Sequence, residues 1–312
     1  HVSQNRAVTP DDYKAIIKNE FADIEAVAVW GGEDHVVPDY GKVYVSIKPL
    51  SADVLTAEQK ATIITKILKP KNVVSITPVL LDPEYTHINL EVFFKFNPNL
   101  ASVTASSLAT SVRSTLIAHN NDVLKSFGGV FRSSNVAKKI DDTNIAILSN
   151  ITRIRMTKKI SPALGTATTY SLKFNQKLDN LDGTTSTLGS YVTSNMFTFS
   201  GAQCMLKDFY DTSSETRIIQ IVDTAGIIYN TNVGTVNETT GTVTLNAFNP
   251  TALPTGTTTI DVKVNPASND IKPMRNELLT IDTSGATITG EIDTMATGGT
   301  TAGIDYTTTE SN

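Results

Sequence analysis

The chain has 312 residues, 40% of them hydrophobic and 18% charged, with a formal net charge of -5. That acidity counts against a general nucleic-acid binder, whose basic surface must neutralise phosphates. One cysteine, Cys204, excludes an internal disulfide, and no apolar run approaches the roughly 18 residues of a transmembrane helix.

The polar start, His1 to Arg6, lacks the apolar stretch of a signal peptide. A first residue other than Met is read as the start of a truncated or processed chain. Thr9-Pro10-Asp11-Asp12 combines a helix N-cap, a proline at the first helical position and two acids that suit the helix dipole. Tyr13, Ile16, Ile17 and Phe21 follow at helical spacing. Val43, Val45 and Ile47 alternate with polar neighbours and predict a half-buried strand. Thr56 and Gln59 form a capping box, followed by the stripe Ile63, Ile64, Ile67 and Leu68, and Pro70 ends that helix.

Strands are predicted at Val73–Leu81 and Thr86–Phe96, joined as a hairpin through Asp82-Pro83-Glu84. In the second, Ile88, Leu90, Val92, Phe94 and Phe96 share a face. A helix carrying Leu108, Val112 and Leu116, a shorter one over Ser134–Ile140 and a strand over Ile151–Met156 complete the first half. This order predicts an α+β arrangement, a small sheet covered by helices.

The second half reads as mainly β and rich in threonine. Strands are predicted at Tyr191–Ser200, Arg217–Val222, Gly226–Tyr229, Gly234–Val236, Thr242–Leu245 and Thr257–Val264, with Asn237–Gly241 as a hairpin loop. Residues 1–160 carry 19 basic and 16 acidic side chains, a charge of +3, and the remainder 7 and 15, a charge of -8. Both shifts place a boundary near Ser161–Gly165, giving an α+β domain over 1–162 and a mainly β domain over 163–312 suited to oligomerisation or partner contact. The tail from Gly298, rich in Thr and Gly, lacks anchoring hydrophobes.

Chemistry-bearing motifs are scarce. The sequence holds four histidines, and Glu33-Asp34-His35 lies between Gly31-Gly32 and Pro38, so it reads as a loop. Gly128-Gly129 lacks the Lys-Ser/Thr of a phosphate-binding loop. Cys204 stands alone and reads as a packed or surface thiol. Asp208 and Asp211 lie close in sequence in the mainly β half, without a recognisable catalytic context. No catalytic, metal-binding or cofactor-binding residue is assigned, and no cofactor is expected. Arg132, Lys138, Lys139, Arg153, Arg155, Lys158 and Lys159 form the basic concentration. It reads as a solvated face or a contact for an acidic protein.

Asn5-Arg6-Ala7-Val8-Thr9-Pro10-Asp11-Asp12-Tyr13 resembles the segment that opens a helix in phage baseplate J-like proteins. Ile24–Gly32 and Gly41–Ile47 resemble that family's paired strands, and the elements from Ser102 to Met156 continue the pattern. The whole chain is similar to the C-terminal part of the baseplate wedge subunit of T-even-type contractile-tailed phages. That resemblance implies a structural protein of the virion tail, assembled in the host cytoplasm and without enzymatic activity. It implies dimers that join into a ring around the central hub, with neighbouring wedge proteins as partners and neither nucleic acid nor membrane. The hairpins around Tyr229–Leu245 offer edges for strand pairing, so Ile228, Tyr229, Val233, Val243 and Leu245 are the candidate contact residues. The alternative is a surface- or carbohydrate-binding β module on an α+β stalk.

Overall fold

The computed structural model describes residues 6–34, 37–181 and 189–297. Its strands, in chain order, are β1 (Ala26–Gly31), β2 (Lys42–Lys48), β3 (Thr77–Leu81), β4 (Glu84–Phe96), β5 (Phe131–Arg132), β6 (Ile147–Ile160), β7 (Thr168–Lys173), β8 (Leu178–Asp179) and β9 (Val192–Ser194). They continue as β10 (Phe197–Phe199), β11 (Ala202–Asp211), β12 (Thr216–Asp223), β13 (Ile228–Asn237), β14 (Thr242–Phe248), β15 (Ile260–Pro266), β16 (Asp270–Ile271), β17 (Glu277–Ile281) and β18 (Thr287–Ile292). The main helices are α1 (Pro10–Glu20), α2 (Ala57–Thr62), α3 (Ala105–His119) and α4 (Ser133–Asp141). This is the expected α+β class, mixed at the start and mainly β thereafter. The chain forms two compact units: one of residues up to 85 with 121–131 and 272–279, the other of the remainder.

In the first unit, α1 begins where the sequence signals it. The Thr9 hydroxyl accepts from the Asp12 N–H, and the Asp12 carboxylate accepts from the Thr9 N–H, a reciprocal cap. Thr56 and Gln59 do the same for α2, which passes into a π-helical turn over Ile63–Leu68. β1 and β2 are antiparallel, and β3 joins β2 in parallel, a pairing that needs the crossover through α2. Tyr13, Ile17, Val45, Ile47, Ile63 and Leu68 bury themselves together, each removing enough apolar surface from water to contribute about 1.5–3 kcal/mol where aliphatic.

Two expectations fail here. β2 is not half-buried: Tyr44 and Ser46 are buried as well as Val43, Val45 and Ile47, so both of its faces are covered. Nor do β3 and β4 form a hairpin, since β3 pairs with β2 and β4 with β6 and β18. In a two-residue loop of Asp82-Pro83 a type I′ turn would need φ > 0 at both residues, and Pro83 is locked near φ of about -65°, while a type II′ turn favours Gly where Asp82 stands.

In the second unit the sheet runs β4-β6-β15-β9-β11-β12-β13-β14-β7, with β18 on β4, β10 on β11 and β8 on β15. Ile88, Leu90, Val92, Phe94 and Phe96 do share one buried face, and Leu108, Val112 and Leu116 are buried along α3. β6 extends beyond the predicted Ile151–Met156 at both ends. It pairs with β15, so that Lys158 faces Val262 across the ladder. The compositional break near Ser161 therefore lies inside this unit, between two strands of one sheet.

Several strand boundaries also differ from expectation. Tyr191–Ser200 is two short strands, β9 and β10, separated at Asn195, whose side chain accepts from the Asp261 N–H at 2.8 Å. Gly226–Tyr229 and Gly234–Val236 merge into the single strand β13. β11 was not predicted, because Asp208 occupies an inward position where alternation calls for a hydrophobe.

Candidate interface

The candidate residues lie on β13 and β14. The Asp223 carboxylate accepts from the N–H groups of Ala225 and Ile227 at 2.9 Å each, and Gly226 takes a φ of +86°. This turn joins β12 to β13. Pairing across the two strands then slips, from Val222–Ile228 through Ile221–Asn230 to Ile219–Gly234, so β13 carries extra residues and bulges. The Asn230 and Asn232 side-chain oxygens accept from the N–H groups of Asn232 and Gly234, which ties the bulge down.

The consequence is a division among the five residues. Ile228 and Tyr229 are 48% and 38% exposed at the hairpin tip. Val233, Val243 and Leu245 are buried beneath it and hold the hairpin to the sheet. Ile227, 59% exposed, extends the exposed tip, and so does not belong to the group the sequence picked out. Gly234 cannot carry a side chain, because a Cβ there would lie 2.0 Å from the Thr244 carbonyl oxygen.

Near the other end of β12 from this tip lies a buried ion pair. An Arg217 guanidinium nitrogen is 2.6 Å from the Asp208 carboxylate, and the same arginine donates to the Gly189 carbonyl at 2.8 Å. Asp208 also accepts from the Ser190 hydroxyl and from the N–H groups of Tyr191 and Val192 at 2.7–2.8 Å. The guanidinium lies 4.0 Å from the centre of the Tyr191 ring. Asp208 thus fastens the 189–192 stretch to β11, a structural task that uses all of its oxygens.

Asp211 does something separate. It sits in the β11–β12 turn and accepts from the Ser213 and Ser214 hydroxyls at 2.7 Å each. The Ser213 hydroxyl, then Ser214, lower its carboxyl to about 2. A depressed carboxylate adds stability that is present above its unfolded value of 3.8 and is lost as pH falls through about 2. A carbon-detected NMR titration should place the Asp211 midpoint near 2; a midpoint at or above 3.8 overturns the assignment.

The remaining motifs settle as follows. Cys204 is buried on β11, and burial raises its thiol above the ordinary range, as suits a packed side chain. Gly128 takes a φ of +85° in a turn that Gly129 closes by donating to Ser126. His119 is buried at the end of α3, and His87 lies half-buried on β4. Glu33 and Asp34 sit in a 3-10 turn; His35 lies outside the described residues, as does the tail from Gly298. Among the described residues, no three potential ligands gather into a metal-binding group, and no helix is long and apolar enough to cross a membrane.

Comparison with known families identifies the class. Residues 9–81 match the family model described as baseplate structural protein gp6, C-terminal domain I. Residues 84–159 match the model for C-terminal domain III of the same protein. Both matched domains are those of a phage baseplate structural protein, which supports a structural role in the baseplate for this chain. Over residues 9–159 it is similar to these gp6 domains, and both matches end before the Thr-rich remainder. No curated protein sequence matches the chain.

Proposed function

We propose that this chain is a non-catalytic wedge component of a contractile-tail baseplate, forming dimers that join into a ring around the central hub and contact neighbouring wedge proteins. It is assembled in the bacterial cytoplasm into the virion tail. The pair of adjacent gp6 domain matches carries this reading. The fate of the candidate acids supports it, since Asp208 is consumed by a buried ion pair and Asp211 by a turn. Residues 163–312 serve partner contact, through the exposed tip at Ile227, Ile228 and Tyr229. A two-fold contact places the same tip, or the surface it meets, on both copies.

Light scattering coupled to size exclusion, over a range of concentrations, tests this. The chain is expected to form dimers, and Ile228→Glu with Tyr229→Glu is expected to shift them to monomers at least tenfold more readily, about 1.4 kcal/mol or more of association free energy. Val233 is left out of the variant because it is buried. Unchanged association in the double variant sinks the hairpin tip as the contact, and a monomer at every concentration sinks dimerisation through these residues.

A further inference from the structure

The outward face of the β4–β6 pair combines exposed apolar surface with unmatched positive charge. Register sets Phe93 beside Ile151, Glu91 beside Arg153 and Asn89 beside Arg155. Ile151 is 68% and Phe93 38% exposed. The Arg153 guanidinium lies 5.9 Å from the Phe93 ring centre, and its approach to Glu91 is long, at 3.9 Å. A depression of about 210 Å³ alongside is lined by Asn89, Glu91, Arg153, Arg155, Lys263 and Thr287, among others. It therefore presents three cations to one carboxylate. Among the described residues, neither Arg155 nor Lys263 has a carboxylate within ion-pair distance. A second depression, of about 360 Å³, shares Arg153 and Arg155 and has Asp179 in its wall.

The spacing is specific. Arg153 and Arg155 are two residues apart on one strand, so their side chains leave the same face roughly 7 Å apart. Carboxylates at alternate positions of an extended segment have the same repeat. Arginine beside an aromatic and an aliphatic side chain is also the composition of residues that carry binding energy at protein interfaces.

We propose that this face docks an extended acidic segment of another protein, with alternate carboxylates on Arg153 and Arg155 and an apolar residue against Ile151 and Phe93. Charge complementarity selects that occupant. A nucleic acid fits less well, because among the described residues Phe93 is the one ring beside these cations, short of a row for successive base stacking, and the chain as a whole carries a charge of -5. The proposal goes beyond the baseplate reading and rests on it only in treating protein contact as what the chain does.

Fluorescence anisotropy on the whole chain tests it with three probes: a labelled peptide of repeated Ile-Ser-Glu-Ser-Glu-Ser units, whose Ile and two Glu share one face when extended, the same peptide with Lys for Glu, and a labelled single-stranded DNA. The acidic peptide alone should bind saturably, more weakly as salt rises. Arg153→Glu with Arg155→Glu should weaken it about tenfold or more, and the milder Arg155→Ala severalfold. These side chains are exposed, so the unfolding midpoint should not move, and Arg155→Ala keeps the test valid if the charge reversal disturbs folding. Absence of acidic-peptide binding, binding unchanged in both variants, or a preference for DNA overturns the proposal. Self-association of the arginine variants, measured by light scattering, should remain as in the parent. Loss of peptide binding in the arginine variants with dimers intact supports this docking face, whereas a parent chain that dimerises but does not bind the acidic peptide overturns it and leaves the baseplate reading standing.

Discussion

Arg217→Ala is expected to destabilise the second unit by about 3–5 kcal/mol, and Asp208→Ala by more. Both side chains are almost wholly removed from solvent, at 2% and 0% exposure, so deleting either leaves a charge without its nearest counter-ion in a poorly screened interior. The two deletions are not equivalent. Without Arg217, Asp208 still accepts from the Ser190 hydroxyl and from the N–H groups of Tyr191 and Val192, which continue to stabilise its charge. Without Asp208, the arginine keeps only the longer contact to the part-exposed Glu238, at 3.6 Å, as an ion pair, and those three donors lose their acceptor together, with each orphaned buried donor costing about 1–3 kcal/mol. Thermal or urea unfolding with a β-sheet signal measures the difference. For Arg217→Ala the midpoint should fall by roughly 6–20 °C. A change below about 1 kcal/mol for either variant, or a larger loss for Arg217→Ala, contradicts this account.

Phe94→Ala is expected to cost about 3–5 kcal/mol through the cavity it opens. The ring is 1% exposed on β4, 6.1 Å from the ring of Phe96. It also explains the glycine opposite: β18 pairs Gly290 with Phe94, and a Cβ at 290 would lie 2.4 Å from the ring. Gly290→Ala should therefore destabilise the parent chain yet cost less when Phe94 is alanine, since the obstructing ring is gone. A double-mutant cycle reads that coupling directly. Additive effects would mean that Gly290 is required by its backbone alone and that the ring does not limit it.

What could be read from residues was whatever depends on near neighbours. The caps at Thr9 and Thr56 are local hydrogen bonds within three residues, and they formed as written. The apolar stripes of α3 and β4 follow from the fixed periods of helix and strand, and their inward faces came out buried. Gly241, at φ +68°, closes the Asn237–Gly241 loop as its composition demands.

Pairing was a different matter, because period 2 alternation says which side of a strand is apolar and nothing about which strand lies beside it. β3 was legible as a strand, but its parallel partner β2 lies across an intervening helix. The polar signal of Asp208 hid β11, since a lone acid at an inward position reads as an interruption until Arg217 is known to face it from β12. The candidate contact residues divided for the same reason. Ile228 and Val233 are five residues apart, so alternation sets them on opposite faces, and only the packing of β13 shows that the face of Val233 is the buried one. The sequence by itself thus determined the elements, their caps and their apolar faces, which local geometry sets. The tertiary structure alone decided strand order, the ion pair and the exposed surfaces, because these arise between residues that the chain holds far apart.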